Sequence, residues 1–235
     1  MALDISRSYE QRWEGIKAGL PIFLGYFPMA MAFGLMAKAS GIGFMPTMAF
    51  SVFVFAGASQ FMALGLLNTG VAAGEIILAT FLLNFRHLLM SASLAAHLKQ
   101  EKKPQLAALA FGVTDETFAV ASTLPKEPGL KFLISLEAVA YSGWVGGTIA
   151  GFLVGSSLPA SIQASLGITL YAMFAAILVP QFKRSWGIVF LAFGSGVLHL
   201  IINVLKIMPA GWSIITAMVL TAILGACLIK DENAT

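Results

Sequence analysis

Residues 72–97 read AAGEIILATFLLNFRHLLMSASLAAH, and this stretch decides the fold. A helix needs about 20 mainly apolar residues to cross the hydrocarbon core of a bilayer. The stretch is long enough, and among its residues only Glu75 and Arg86 carry a full charge. We therefore predict a membrane-spanning helix that holds a cation near its middle.

Further apolar segments of similar length lie on both sides of this one. The connections between them are short, none is long enough for a soluble domain, and short connections suit antiparallel neighbours in a helical bundle. We predict an all-α, polytopic helical membrane protein with about seven or eight transmembrane segments, some of them broken or re-entrant. The other segments are 19–38, 44–67, 105–124, 132–156, 166–181, 186–205 and 211–229.

The composition of the 235 residues agrees with this class, since 58% are hydrophobic and 11% are charged. Soluble domains carry about 25% charged residues, so an ordinary cytosolic enzyme, a disordered protein and a nucleic-acid binder are excluded. We expect residues 1–235 to form a single transmembrane domain whose basic loops face anionic lipid. A single cysteine, Cys227, excludes an internal disulfide and a Cys-rich metal site, and we expect no metal and no cofactor.

Residues 1–18 contain no apolar core, so we predict a short interfacial segment there with Trp13 at the lipid headgroups. Eight crossings with both chain ends in the cytoplasm place most basic loops inside, but leave the cluster Lys99, Lys102 and Lys103 outside. A re-entrant hairpin at 44–67 is the alternative that brings this cluster inside.

A weak internal repeat relates residues 19–104 to residues 132–210. A shift of about 121 residues brings Gly25 onto Gly146 and Gln60 onto Gln181, and a slightly different shift brings His87 onto His199. Many transporters are built from repeats and bind substrate at the interface between them. Chance matches among abundant Gly, Ala and Phe are the alternative explanation.

Charged residues inside an apolar span are costly and usually line a pathway or pair within the bundle. Asn84 and His87 share a helix face, with Arg86 between them. Either Arg86 has a functional or gating role, or the segment ends there and the side chain reaches the interface.

Asp115 and Glu116 form a second polar cluster, with apolar residues on both sides. Two adjacent carboxylates in a span repel each other if both are ionised, which makes one of them a candidate proton carrier. A re-entrant turn, a wet crevice or an ion pair with Arg86 are the other readings.

A third cluster combines the small residues Gly57 and Ser59 with the amide of Gln60. Either the helix unwinds here and offers backbone groups to a substrate, or small residues allow a tight helix crossing with Gln60 bonded across it. Tyr26 and Pro28 add a kink in the first segment, because proline removes one helical hydrogen bond. In the second half, His199 and Asn203 share a face and are the counterpart candidates for the His87 site, and Gln181 is a candidate for the substrate pathway.

These strings resemble the AzlC family of membrane proteins, in order, over residues 14–205. The residue after the Asn-Phe-Arg-His string is apolar Leu88, and Met90 stands where tyrosine is common in the family. The matching strings are Gly25-Tyr26-Phe27-Pro28, Ala32-Phe33-Gly34, Phe55–Phe61, Asn84-Phe85-Arg86-His87, Asp115-Glu116-Thr117-Phe118, Leu170–Phe174 and Leu178-Val179-Pro180.

The resemblance implies the large subunit of a bacterial exporter of branched-chain amino acids, in some cases also of methionine. It further implies a multi-pass protein of the bacterial inner membrane, driven by the proton gradient and working with a small AzlD-like membrane partner. From the residues alone, two other functions stay open. A channel or scaffold subunit is one, and an intramembrane hydrolase using Ser59 with His87 or His199 is the other, although no zinc motif of the His-Glu-x-x-His type is present.

Overall fold

The computed structural model describes residues 2–98, 101–125, 127–182, 186–206, 208 and 210–228. Within these residues the chain forms ten α-helices and one short 3₁₀ turn, and no strand. The prediction of an all-α helical membrane protein is confirmed. The helices are α1 (Ala2–Ala39), α2 (Phe44–Phe53), α3 (Gly57–Asn68), α4 (Ala73–His97), α5 (Lys103–Gly112), α6 (Asp115–Thr123), α7 (Leu130–Val154), α8 (Ala160–Phe182), α9 (Trp186–Val204) and α10 (Ala210–Leu228).

Among the residues that the structure describes, three helical stretches are long and apolar enough to cross a membrane by themselves: Tyr9–Ala39, Ala73–His97 and Leu130–Ser157. The apolar parts of other helices are shorter, among them Phe44–Phe53, Val189–Val204 and Trp212–Gly225. The number and orientation of the crossings stay predictions.

The helices group into two compact units. The first unit comprises residues 1–61 and 84–169, and the second comprises residues 62–83 and 170–235. The predictions of a single transmembrane domain and of a repeat between 19–104 and 132–210 are not tested by this grouping. Residues 2–18 continue into the apolar part of α1 as one helix that runs through Pro28 without ending, and their interfacial position stays a prediction.

The first unit is built around the contact between α1 and α7. Glycines allow the two backbones to touch, because an added Cβ at Gly147 would overlap the carbonyl oxygen of Phe27, and one at Gly151 that of Met31. Small residues bring membrane helices close enough for extensive van der Waals contact. Large side chains on this face would hold the backbones of α1 and α7 farther apart.

Helices α1 and α7 run in the same direction. Gly15 lies against Phe132, Gly19 against Leu136, and Met31 against Gly151, so positions ascend together along both helices. Parallel neighbours need an odd number of crossings between them, which agrees with one crossing each for the segments 44–67, 72–97 and 105–124.

Two of these predicted segments are broken, as expected for part of the bundle. Segment 44–67 consists of α2 and α3 with residues 54–56 between them, and segment 105–124 consists of α5 and α6 with residues 113–114 between them. Thr114 caps α6: its hydroxyl accepts from the backbone N–H of Thr117, whose hydroxyl in turn accepts from the backbone N–H of Thr114. The break therefore lies directly before the two carboxylates.

Replacing Gly151 by alanine should destabilise the protein by roughly 1–3 kcal/mol, because the new methyl meets a helix backbone that cannot move aside cheaply. Gly25→Ala is the matched control in α1, where nothing lies within 4 Å of the added Cβ, and it should be neutral or stabilising by up to about 1 kcal/mol. Thermal unfolding midpoints in detergent measure the difference. Equal midpoints for the two variants would contradict the close backbone contact.

Candidate functional site

The first unit brings the predicted polar clusters into hydrogen-bonding contact with one another. α1, α3, α4 and α6 each supply members, and the two helix breaks are part of the same arrangement. The predicted residues joined to at least one other predicted residue by a side-chain contact are Tyr26, Ser59, Asn84, Arg86, Asp115 and Glu116.

Tyr26 connects α1 to the start of α6. Its side chain is buried, and its hydroxyl lies 2.8 Å from Thr114 Oγ1 and donates to Glu116 Oε2. A tyrosine hydroxyl has only one proton, which goes to the Glu116 carboxylate, while the neighbouring Thr114 hydroxyl is 3.3 Å from Thr117 Oγ1. Tyr26 therefore fixes both the cap of α6 and one oxygen of Glu116.

Arg86 pairs with Asp115, with 2.9 Å between Nη1 and Oδ2. The two side chains are 38% and 26% exposed, so the pair is partly buried. Of the readings that the sequence left open, the ion pair between these clusters is the one observed. His87, the next residue on α4, is half-buried.

Ser59 fixes the orientation of Asn84. The Ser59 hydroxyl donates to the carbonyl oxygen of Ala56 at 2.9 Å, and Asn84 Nδ2 donates to Ser59 Oγ at 3.0 Å. Since the serine proton is already used, the asparagine must present its NH₂ group to the serine, and its Oδ1 atom points elsewhere.

Three buried polar atoms at this place have no partner among the described residues: Asn84 Oδ1, Arg86 Nε and Glu116 Oε1. An unsatisfied buried donor or acceptor costs about 1–3 kcal/mol, and folded proteins rarely leave one. Here Arg86 leaves one donor unused, and Asn84 and Glu116 each leave one acceptor unused. All three residues already contact other members of the network. A ligand with both a negative and a positive end would satisfy all three.

Gln60 holds the α2–α3 break in shape. Its Nε2 donates to the carbonyl oxygens of Phe50 at 2.5 Å and Val54 at 2.8 Å, and its Oε1 accepts from Trp144 Nε1 at 2.8 Å. The side chain is 1% exposed, so both its nitrogen hydrogens are used inside the protein. Gln60 thus bonds across to α7, as one of the two readings left open by the sequence expected, and it also satisfies the carbonyls of Phe50 and Val54 beside the helix break that the other reading expected.

Aromatic side chains line the same region. Tyr26 packs edge-on against Phe55 and Trp144, with ring centroids 5.9 and 5.5 Å apart. Tyr141 packs edge-on against Phe55 at 5.2 Å, and its hydroxyl donates to the carbonyl oxygen of Val52 at 3.0 Å. Edge-to-face pairs at such distances are favourable arrangements.

Sequence reasoning missed Trp144, Tyr141 and Thr114 as members of the site. A signal existed for Trp144, because a buried indole N–H needs an acceptor and this tryptophan stands amid small residues in an apolar segment. Gly57, which was predicted, leaves the space that the Trp144 ring occupies, since an added Cβ there would overlap the ring.

The second-half candidates lie in the second unit. His199 Nδ1 is 2.7 Å from the hydroxyl of Ser213, which is fully buried, as a histidine satisfied within a core would be. Asn203 is exposed on α9. The side chain of Gln181 lies outside the described residues, and the roles of all three stay predictions.

Comparison with known proteins identifies the chain. A family model described as AzlC protein matches residues 21–158, the range that holds every member of the network described above. The chain belongs to the AzlC family. Two relatives are 36% identical: an uncharacterized membrane protein of Archaeoglobus fulgidus over 172 residues (72% of this chain, 75% of the relative) and the inner membrane protein YgaZ of Escherichia coli K12 over 180 residues (73% of each).

The AzlC family includes a relative whose name states a function. The branched-chain amino acid transport protein AzlC of Bacillus subtilis is 25% identical over 168 residues, which cover 70% of this chain and 65% of the relative. No solved structure matches the chain. Family membership confirms a membrane protein and favours a transport protein over an enzyme.

Gln60→Leu should lower the stability of the protein, because it leaves the indole N–H of Trp144 unpaired and removes the bonds to the carbonyls of Phe50 and Val54. Each buried group left without a partner costs about 1–3 kcal/mol. Gln11→Leu is the matched control, since Gln11 is exposed and surface changes usually stay within about 0.5 kcal/mol. Thermal midpoints in detergent are compared, and the assignment fails if the two variants unfold alike.

Proposed function

We propose that this protein exports branched-chain amino acids, namely leucine, isoleucine or valine and in some cases methionine, from the bacterial cytoplasm across the inner membrane. Export is secondary and driven by the proton gradient, and it requires a small AzlD-like membrane partner. Support comes from membership of the AzlC family, from the function that the name of the Bacillus relative states and from the polar network around Arg86.

The observation that carries the proposal is the set of three unpartnered atoms. An α-amino acid has a carboxylate that accepts hydrogen bonds and an ammonium group that donates three. Its carboxylate fits Arg86 Nε, and its ammonium fits Asn84 Oδ1 and Glu116 Oε1. Charge-assisted hydrogen bonds of this kind are about twice as strong as neutral ones.

The two helix breaks support the same function. Carriers commonly bind their substrate where discontinuous helices leave backbone groups and helix ends near the middle of the membrane. α3 begins at Gly57 and α6 at Asp115, so residues near the starts of both half-helices, Ser59 and Glu116, belong to the proposed site. The aromatic side chains beside it, Phe55 and Tyr141, offer apolar surface to a branched side chain.

Proton coupling at the acidic pair falls to Glu116. Asp115 is held by Arg86, whereas Glu116 has one oxygen bound to Tyr26 and one without a partner. That free oxygen can hold either the ammonium group or a proton, but not both. Because the two compete for this oxygen, the site carries an amino acid outward and a proton inward in alternate half-cycles, which couples the two movements.

Efflux from cells loaded with a leucine-containing dipeptide tests the function. Cells that express this chain with an AzlD-like partner should release leucine faster than cells that express either protein alone. Arg86→Ala should remove the gain, and Arg86→Lys should not restore it, because a point charge cannot replace the planar guanidinium that both pairs with Asp115 and presents Nε. Wild-type efflux by Arg86→Ala would overturn the role of Arg86 in substrate binding. Full efflux by this chain alone in liposomes would overturn the requirement for a partner.

Replacing each carboxylate by its amide distinguishes the role of Glu116 from that of Asp115. Glu116→Gln should raise the leucine concentration needed for half-maximal exchange, and it should lower about tenfold the leucine gradient that one pH unit sustains, the loss of one proton per cycle. Asp115→Asn should reduce exchange itself, because it releases Arg86. Counterflow of labelled leucine and steady-state gradients in proteoliposomes containing the partner measure both effects. Unchanged gradients in Glu116→Gln would remove it as a coupling residue, with His87 the next candidate.

A further inference from the structure

Glu137 is a buried carboxyl group outside the network around Arg86. It lies in α7 and is 5% exposed. No described residue forms an ion pair with it or donates a hydrogen bond to it. Burying an ionised carboxylate without a partner is costly, so this arrangement favours the neutral, protonated form of the group.

The carboxyl group sits against the end of α5. An added Cβ at Gly112 would overlap Glu137 Oε2, so this glycine provides the room that the group occupies. Gly112 is the last residue of α5, and Val113 and Thr114 form the break that leads to Asp115. Any motion of α5 at this break therefore changes the surroundings of Glu137 and the position of the α6 start together.

The helices that contact α7 bring no partner for the group. α2 has no titratable residue, and on α5 the charged residue is Lys103, nine positions before Gly112. On α6, Asp115 is paired with Arg86 and Glu116 with Tyr26. The titratable groups of these three helices are therefore distant or already engaged.

The described titratable side chains of α1, α4 and α7 provide no partner for Glu137 either. On α1, Lys17 lies over the Trp13 ring, Lys38 reaches Ser156, and Glu10, Arg12 and Glu14 are exposed. On α4, which lines a cavity together with Leu133 of α7, His97 pairs with Glu127 and His87 is half-buried. On α7, Lys131 is exposed and the Tyr141 hydroxyl donates to Val52.

We infer that Glu137 is a second proton-binding residue of the transport cycle, loaded while α5 rests against α7 and unloaded when α5 moves at the 113–114 break. The inference rests on the proposed function. A proton from the outside water binds the carboxylate, and the same proton leaves to the cytoplasm once water reaches the group. Together with Glu116, two protons then enter for each zwitterionic amino acid that leaves.

Steady-state leucine gradients in proteoliposomes test this count, with the AzlD-like partner present and the membrane potential clamped at zero. Two protons per cycle sustain about a hundredfold gradient at one pH unit, and one proton sustains about tenfold. Glu137→Gln should therefore lower the gradient tenfold, with leucine exchange and its half-saturating concentration unchanged. Glu127→Gln, an exposed carboxyl group on the same unit, should behave as wild type.

Infrared spectroscopy reads the buried acid without any substrate. Wild-type protein at neutral pH should show the C=O absorption of protonated carboxyl groups, and Glu137→Gln should lose one band that Glu116→Gln and Glu127→Gln both keep. Gly112→Ala, which displaces the carboxyl group without removing it, should shift the band. These readings do not depend on amino-acid export, so a wild-type protein that exchanges no leucine refutes the proposed function separately.

Two results would overturn the inference. One is the absence of the protonated band in wild-type protein, which would mean that the carboxyl group is ionised. The other is an unchanged leucine gradient in Glu137→Gln once the band is gone, which would make the buried acid purely structural. Loss of the band together with a tenfold smaller gradient supports it.

Discussion

Backbone contact between α1 and α7 is the constraint on which the first unit depends. Each broken pair of helices is held by a large side chain from this helix pair. Tyr26 of α1 meets the start of α6, while Trp144 of α7 meets Gly57 and Gln60 at the start of α3. A small separation of the two helices would move Tyr26 away from Trp144, and with them both breaks. Glycines on the shared face thus set the geometry of polar groups that lie several residues away.

The breaks persist because their backbone groups are satisfied locally. Thr114 and Thr117 cap the α6 start reciprocally, and Gln60 donates both its N–H bonds to the carbonyls of Phe50 in α2 and Val54 in the break. In an apolar surrounding every backbone group must find a partner inside the protein. Irregular backbone is then stable where side chains replace the missing helical bonds, and the same side chains make the site rigid.

The helical class and two charged members of the polar network could be predicted from the sequence. Apolar length predicts the helical class, and the cost of an intramembrane charge singles out Arg86 and Asp115 before any geometry is known. The partner of Tyr26 and the role of Trp144 could not be predicted, because they depend on which face of α1 meets α7 and at what height. The surroundings of Glu137 could not be predicted for a related reason, because only the position of Gly112 beside it shows that its neighbour is a helix end and not a cation.

The hydrogen bond from Ser59 to the Ala56 carbonyl has a consequence for chemical selectivity. Because that proton is committed, Asn84 keeps its amide oxygen as a free acceptor, beside the free oxygen of Glu116. An amino acid brings three N–H donors to these acceptors, whereas the 2-oxo acid with the same branched side chain brings none. Sites built to bond a polar group reject analogues that lack it by factors of roughly 10⁴–10⁵. Under the proposed export function, one serine hydroxyl, bonded to its own helix start, would thereby let a cell release surplus amino acids while keeping their deaminated carbon skeletons.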